Sequence, residues 1–161
     1  MSVTISGSGQ IVKQIQSYTL TSTVATTATT PVDSGLQISI TPTNAANKIL
    51  ICATINMSHD QLGVKRTYFN FSGGNSSSYI GGAGSSGHQS SFAVCPRAGD
   101  SYGMVTASGM YLDSPATTSA ITYKLQWCVE TGTGYLNRPA SEDANGARTA
   151  STITVMEIAY A

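Results

Sequence analysis

The sequence contains few charged side chains and no excess of either sign. Lys, Arg, Asp and Glu make up 10% of its 161 residues, and eight acidic groups balance eight basic ones. An ordinary soluble domain carries about 25% charged residues. Sparse and balanced charge provides no electrostatic footprint for nucleic acid or for an anionic membrane, so we expect neither as a partner.

Long apolar runs are also missing. No stretch of about 18 apolar residues occurs, so no membrane-spanning helix is predicted. The first residues, MSVTISGSGQ, have neither a basic start nor an apolar segment, and no secretory signal is expected. Cysteine is scarce, since Cys52, Cys95 and Cys128 are an odd number without C-x-x-C spacing. We therefore expect reduced, buried thiols in a protein made in a reducing cytoplasm.

The composition is instead rich in hydroxyl side chains, with 22 Ser and 21 Thr beside 16 Gly. Surface helices are normally built from Ala, Glu, Lys and Arg, whereas Thr packs well on the pleated surface of a sheet. No segment has a convincing helical period. The composition therefore favours β-structure.

Two segments alternate apolar and polar residues with the period of a β-strand. In residues 48–58 (KILICATINMS) one face carries Ile49, Ile51, Ala53, Ile55 and Met57. In residues 120–131 (AITYKLQWCVET) one face carries Ile121, Tyr123, Leu125, Trp127 and Val129. Further strands are predicted at residues 11–21, 36–40, 66–71, 91–95, 102–112 and 152–159. About eight to ten short strands predict one all-β domain, a sandwich or jelly roll, over residues 11–161 after a flexible arm of residues 1–10.

A glycine-rich segment spells the G-x-G-x-x-G pattern of phosphate-binding loops at residues 82–87 (GAGSSG). That pattern binds a phosphate only between a strand and a helix, because the helix supplies the amide donors. Here a strand-like run follows, HQSSFAV. We predict a long surface loop instead of a nucleotide site.

Side chains for catalysis are few. The chain has two histidines, His59 and His88, and neither an H-E-x-x-H nor a G-x-S-x-G motif. Asp60 is next to His59, but neighbours within a strand point to opposite faces. Only a loop at this point would let the pair converge on a catalytic or metal site. His88, in the glycine-rich loop, is interpreted as a solvated side chain or a contact to another subunit.

One acidic pair, Glu142 and Asp143, lies in the turn-like segment PASEDANGAR. Clustered carboxylates can bind calcium, although the D-x-[DN]-x-[DN]-G loop is absent, and a solvated loop is the alternative. Arg138 and Arg148 flank the pair and could bridge it. No cofactor or metal is predicted, and no catalytic residue is assigned.

The aromatic residues Tyr68, Phe69 and Phe71 could in principle stack on nucleic-acid bases. Such a platform needs basic neighbours, and only Lys65 and Arg66 are near. We therefore expect core or intersubunit packing for these three, and core packing for Trp127.

The C-terminal third resembles a domain found in virion proteins of tailed bacteriophages, cyanophages in particular. The resemblance rests on YLDSPATTSAITYKLQ at residues 111–126 and on GYLNRPASEDANGARTASTITVMEIAYA at residues 134–161. NKILI, at residues 47–51, is similar to the first core strand of the same domain. The resemblance covers residues 36–161, and it implies a jelly-roll fold, similar to tumour-necrosis-factor-like domains, that assembles as a homotrimer.

The family's members are capsid decoration (cement) proteins or tips of tail fibres, and the family offers no catalytic residues. The expected function is therefore a non-enzymatic virion protein on the outer surface of the phage head, with the major capsid protein as partner. The candidate trimer interface is Met156, Ile158 and Tyr160 on the last strand. A first strand at Ile11 leaves little room for a fibre stalk, which favours decoration over a receptor-binding tip that contacts host glycans. A jelly-roll lectin or carbohydrate-active enzyme is the third alternative.

Overall fold

A computed structural model describes residues 2–4, 11–60, 63–74, 76–80, 90–95, 97–98, 102–141 and 146–159. None of these residues is helical, and their strands are β1 (Ser2–Thr4), β2 (Val12–Leu20), β3 (Val24–Thr26), β4 (Val32–Ile40), β5 (Lys48–His59), β6 (Gly63–Val64), β7 (Thr67–Gly73), β8 (Ser76–Ile80), β9 (Phe92–Val94), β10 (Arg97–Ala98), β11 (Val105–Asp113), β12 (Ile121–Val129), β13 (Gly134–Leu136) and β14 (Ser151–Ile158). The all-β prediction is confirmed. Within the described ranges no helix is long and apolar enough to cross a membrane.

The strands form two antiparallel sheets in a sandwich-like arrangement. Sheet A has seven strands in the order β1-β2-β14-β5-β13-β3, with β11 paired to the other edge of β5. Sheet B has five strands in the order β4-β12-β7-β8, with β9 also paired to β7, and β6 and β10 form a separate pair. The two long central strands are therefore β5 in sheet A and β12 in sheet B.

The core lies between the inward faces of β5, β14, β12 and β7. The alternating faces predicted for residues 48–58 and 120–131 are the core faces, and Ile51, Met57, Tyr123 and Trp127 are fully buried. Phe69 stacks between Trp127 and Phe92, with ring centroids 6.3 and 5.1 Å apart. Burial of these rings and aliphatic side chains is the main term that holds the sheets together, at roughly 1.5–3 kcal/mol per large side chain.

Every predicted strand segment contains a strand, and the largest boundary difference is at β4. This strand begins at Val32, four residues before the predicted start. The inward position at this end of the strand is polar Ser34, so the apolar alternation does not extend to it. The Ser34 hydroxyl donates to the Leu125 carbonyl (2.5 Å), and Gly35 takes a φ of 86°. The pairing of β4 with β12 is irregular at the same place, between Lys124 and Gln126. A bulge of this kind locally disrupts the pairing of the two strands.

The N-terminal residues include one short strand. Ser2–Thr4 pairs antiparallel with β2, with Val3 opposite Ile15. The remaining residues of the arm predicted at 1–10 lie outside the described part of the chain. The arm and its boundary at residue 11 stay predictions.

Candidate functional site

Two of the three predicted interface residues, Met156 and Ile158, lie on the outward face of sheet A. Strand β14 buries every second side chain inward, and these two alternate with the inward positions and are half-buried. Met156 lies directly opposite Ile15 of β2 on one side and Leu50 of β5 on the other. The third residue, Tyr160, lies outside the described residues. Met156 thus belongs to a row of apolar side chains that crosses the sheet.

The inward face of the same strand contains a carboxylate, which the alternation alone does not explain. Glu157 is fully buried at the end of the sandwich. Its Oε1 accepts hydrogen bonds from the Thr43 amide (2.7 Å), the Thr43 hydroxyl (2.8 Å) and Asn47 Nδ2 (2.6 Å), and its Oε2 accepts one from Gln14 Nε2 (2.7 Å). Burial raises the pKa of Glu157, but the hydrogen bonds from Asn47, Gln14 and Thr43 outweigh it and hold the pKa below its usual value. Glu157 therefore anchors the loop between β4 and β5.

His59 and Asp60 do approach each other. Strand β5 ends at His59, so Asp60 lies beyond the strand and its Oδ1 is 3.5 Å from His59 Nδ1. Asp60 Oδ1 also accepts from the Thr133 amide at 2.8 Å. The side chain of His59 is fully buried, and burial lowers its pKa against the opposing effect of Asp60. The loop at Asp60 that lets the pair converge is therefore found, and the His59 imidazole is fully buried there.

The other predicted loop sites fall largely outside the described residues. The G-x-G-x-x-G segment, His88, Glu142 and Asp143 all lie there. Arg138 is described, and its guanidinium lies 4.0 Å from the Tyr135 ring centroid and donates to the Pro139 carbonyl (3.2 Å). In the described ranges, no three His, Cys, Asp or Glu side chains are grouped so that they could hold a metal ion.

The three cysteines are free, but the prediction that all are buried is wrong. Cys128 is buried, Cys52 is half-buried on the outward face of sheet A, and Cys95 is exposed just after β9 ends. Burial raises the pKa of Cys52 and of Cys128. A raised pKa keeps both thiols protonated near neutral pH, which lowers their reactivity.

The aromatic prediction is confirmed. Tyr68, Phe69, Phe71 and Trp127 are all buried, with at most 8% of their surface exposed. Their rings are covered by protein and are not available as a platform for bases.

The motif residues that carry the phage resemblance mostly hold the fold together. Asn137, in the N-R loop, is fully buried with a φ of 63°. Its side chain donates to the Leu20 (2.8 Å) and Ser22 (2.9 Å) carbonyls and accepts from the Ser151 hydroxyl (2.7 Å). It therefore links the end of β2 to the start of β14. The sequence motif contains Asn137, but its hydrogen-bond partners lie near the end of β2 and at the start of β14, which only the tertiary structure brings together.

A second motif, L-D-S-P, makes a bond between the two sheets. Asp113, the last residue of β11, accepts a hydrogen bond from the Tyr123 hydroxyl of β12 at 2.6 Å. Burial and this contact raise the pKa of Tyr123. Next to it, Lys48 Nζ donates to the Ser114 hydroxyl at 2.7 Å. These motif residues fix the crossing from sheet A to sheet B.

Comparison of the chain with known proteins found no match. No protein-family model matches the chain, and no curated protein is similar to it in sequence.

Proposed function

We propose that this chain is a non-enzymatic structural protein of a phage virion, a homotrimeric jelly-roll protein that decorates the outer surface of the head. The observation that supports the jelly-roll part of the proposal is the strand order, and the resemblance at residues 36–161 supports the virion part. In sheet A, β2, β14, β5 and β11 are paired side by side in that order. Sheet B takes β4, β7, β9 and β12. This exchange between sheets supports a jelly roll, in which two Greek keys are wrapped into a double sheet.

The fold and the phage resemblance support each other through the same residues. The N-R loop supplies Asn137, the L-D-S-P turn supplies Asp113, and the NKILI segment supplies Asn47, which binds Glu157 of the terminal strand. The positions at which this chain resembles the family are therefore positions whose hydrogen bonds connect its own strands and loops. Fold by itself does not specify function, so the decoration role comes from the resemblance.

The surface chemistry suits a protein that is present in many neighbouring copies. Only 10% of the residues are charged, and the net charge is zero. Long-range repulsion between copies is therefore weak. A trimer fits a threefold position of a capsid lattice, and its three copies would bind the major capsid protein together at high effective concentration.

The test is to mix the purified protein with phage heads that lack it and to image the particles. Density at threefold positions on the head and a raised disruption temperature of the particles are expected. The same preparation is incubated with host cells and with host polysaccharide. Binding to cells without binding to heads would support a receptor-binding fibre tip instead, and release of sugar fragments would support an enzyme.

We also propose that the arm at residues 1–10 contacts the capsid, with a frayed terminus as the alternative, and a deletion of residues 1–10 tests this. The shortened protein should keep its oligomeric state and bind heads at least tenfold more weakly. A conservative control replaces residues 5–10 with a Gly/Ser segment of equal length and leaves β1 in place. Equal binding by all three proteins would show that the arm is not used.

A further inference from the structure

The outward face of sheet A is apolar at one end and hydroxyl-rich at the other. Cross-strand pairing places side chains of β2, β14, β5 and β11 in three rows. The rows are Ile15–Met156–Leu50–Leu112, Ser17–Thr154–Cys52–Met110 and Thr19–Thr152–Thr54–Ser108. No member of these rows is charged. We call these rows, together with the edge of β11 that faces away from β5, the assembly face.

The most exposed apolar side chains of this face lie on β11. Met110 is 73% exposed and Leu112 is 51% exposed, and neighbouring Tyr111 is 37% exposed. Within the described residues β11 pairs with a strand only on its β5 side. An open edge strand that carries large apolar side chains and few charges is a site for pairing with another chain.

The outward face of sheet B provides an internal comparison. There Asp33 forms an ion pair with Lys124 at 2.7 Å and accepts from Gln126 Nε2 at 2.9 Å. The hydrogen bonds from Lys124 and Gln126 lower the pKa of Asp33. The chain therefore places a charged pair on the sheet B surface and none in the rows of the sheet A surface.

We propose that the assembly face is covered by a second copy of this chain. The inference rests on the proposed function, and it keeps Met156 of β14 while it adds side chains of β2, β5 and β11 to the interface. Charge complementarity selects the occupant, because a neutral face complements another neutral face, whereas a charged partner would bury unpaired charges. Lys48, at the margin of the face, has its ammonium group bonded to Ser114.

The dimensions of the three rows require that a stable contact also use the edge of β11. Four strands about 4.8 Å apart and three rows about 6.8 Å apart give a flat footprint of roughly 400 Å². A stable interface covers about 800 Å² of accessible surface on each partner. The flat footprint of the rows is about half of that area, and the edge of β11 that faces away from β5 adds to it. The contact therefore uses both the rows and the edge.

The decisive variant is Met110→Glu combined with Leu112→Glu. Both side chains are exposed, so the isolated chain should fold, and its far-ultraviolet circular dichroism should match the parent. The matched control is Gln37→Glu combined with Ser39→Glu, two exposed positions with the same spacing on β4. Light scattering at micromolar concentration should give an oligomer for the parent and the control. The β11 variant should be monomeric, or should associate at least 100-fold more weakly.

The native cysteines supply a second readout that needs no mutation. Cys52 lies in the middle row of the assembly face, and Cys95 is exposed elsewhere. With a bulky maleimide, the parent should label at Cys95 and be protected at Cys52. The β11 variant should label Cys52 at least tenfold faster than the parent does.

A monomeric parent, or an oligomer in which Cys52 labels as fast as in the β11 variant, would overturn the inference. Failure of the proposed function has a different signature. An oligomer that protects Cys52 but does not bind heads leaves the assembly face in place and removes the decoration role. An oligomer of two chains that protects Cys52 likewise keeps the face and removes the trimer.

Discussion

Replacing Glu157 with Gln should destabilise the fold much more than the same change at another glutamate. Four hydrogen bonds converge on this fully buried carboxylate. Hydrogen bonds to a charged group contribute about 1.5–3 kcal/mol each. Gln keeps one carbonyl oxygen but directs an amide donor at side chains that are themselves donors. We therefore expect Glu157→Gln to lower the free energy of unfolding by about 2–4 kcal/mol at pH 7.

The matched control is Glu130→Gln. Glu130 is 37% exposed, and its ion pair with Arg66 spans 3.3 Å at the surface. Surface pairs of this kind contribute about 0–1 kcal/mol. Urea unfolding of the parent and both variants can be followed by the fluorescence of Trp127, the single and fully buried tryptophan. Protein concentration is held constant, because association would add to the apparent stability.

The pH dependence tests the charge state of Glu157. Its pKa in the folded protein is lowered, and in the unfolded chain it is about 4.3. The ionised group therefore contributes its full stability above about pH 5, and that contribution is lost as pH falls through the folded pKa. The difference in the free energy of unfolding between the parent and Glu157→Gln should therefore become smaller below about pH 4. Two results would refute the reasoning. One is a loss of unfolding free energy in Glu157→Gln no larger than that in Glu130→Gln. The other is a difference in unfolding free energy between the parent and Glu157→Gln that stays constant down to about pH 3.

Three further outcomes are expected. Asn137→Ala should lower the free energy of unfolding by about 2–4 kcal/mol. The control Asn44→Ala, at an exposed position, should lower it by less than about 1 kcal/mol. Equal losses for the two variants in urea unfolding would contradict the role of Asn137. Gly109→Ala should cost about 1–3 kcal/mol in thermal unfolding, because a Cβ there would collide with the Phe92 ring; an unchanged melting temperature argues against that contact. The lowered pKa of His59 should make stability fall as pH drops below about 6.5, where the unfolded imidazole binds a proton. His59→Gln should remove that part of the pH dependence, and a variant with the same pH profile as the parent would show that His59 is not its source.

The strands follow from local pattern because a period of two is a property of the chain itself. The predicted runs at residues 48–58 and 120–131 became the central strands, and their apolar faces are the core. Two short strands, β3 and β13, were not predicted, since three residues are too few to establish a period. Strand β13 forms because β5 offers a partner, with Tyr135 opposite Ser58, and β3 pairs in turn with β13.

Single residues depart from the pattern where a distant segment supplies the reason. Glu157 occupies an inward position because donors more than 100 residues earlier in the chain, at Thr43 and Asn47, satisfy its carboxylate. Asp60 reaches His59 because β5 ends there and Thr133 holds the turn. Neither arrangement can be read from adjacent residues.

The sequence by itself determined the fold class, the segments that contain the eight principal strands, and the core faces of β5 and β12, since apolar alternation and turn residues act within a few positions. The tertiary structure alone decided which outward side chains meet. Ile15, Leu50, Leu112 and Met156 share one row because cross-strand register aligns four strands from across the chain. A shift of one residue in any pairing would turn that strand's side chains to the other face. Register is set by the whole core, so the assembly face exists only once the sandwich has formed.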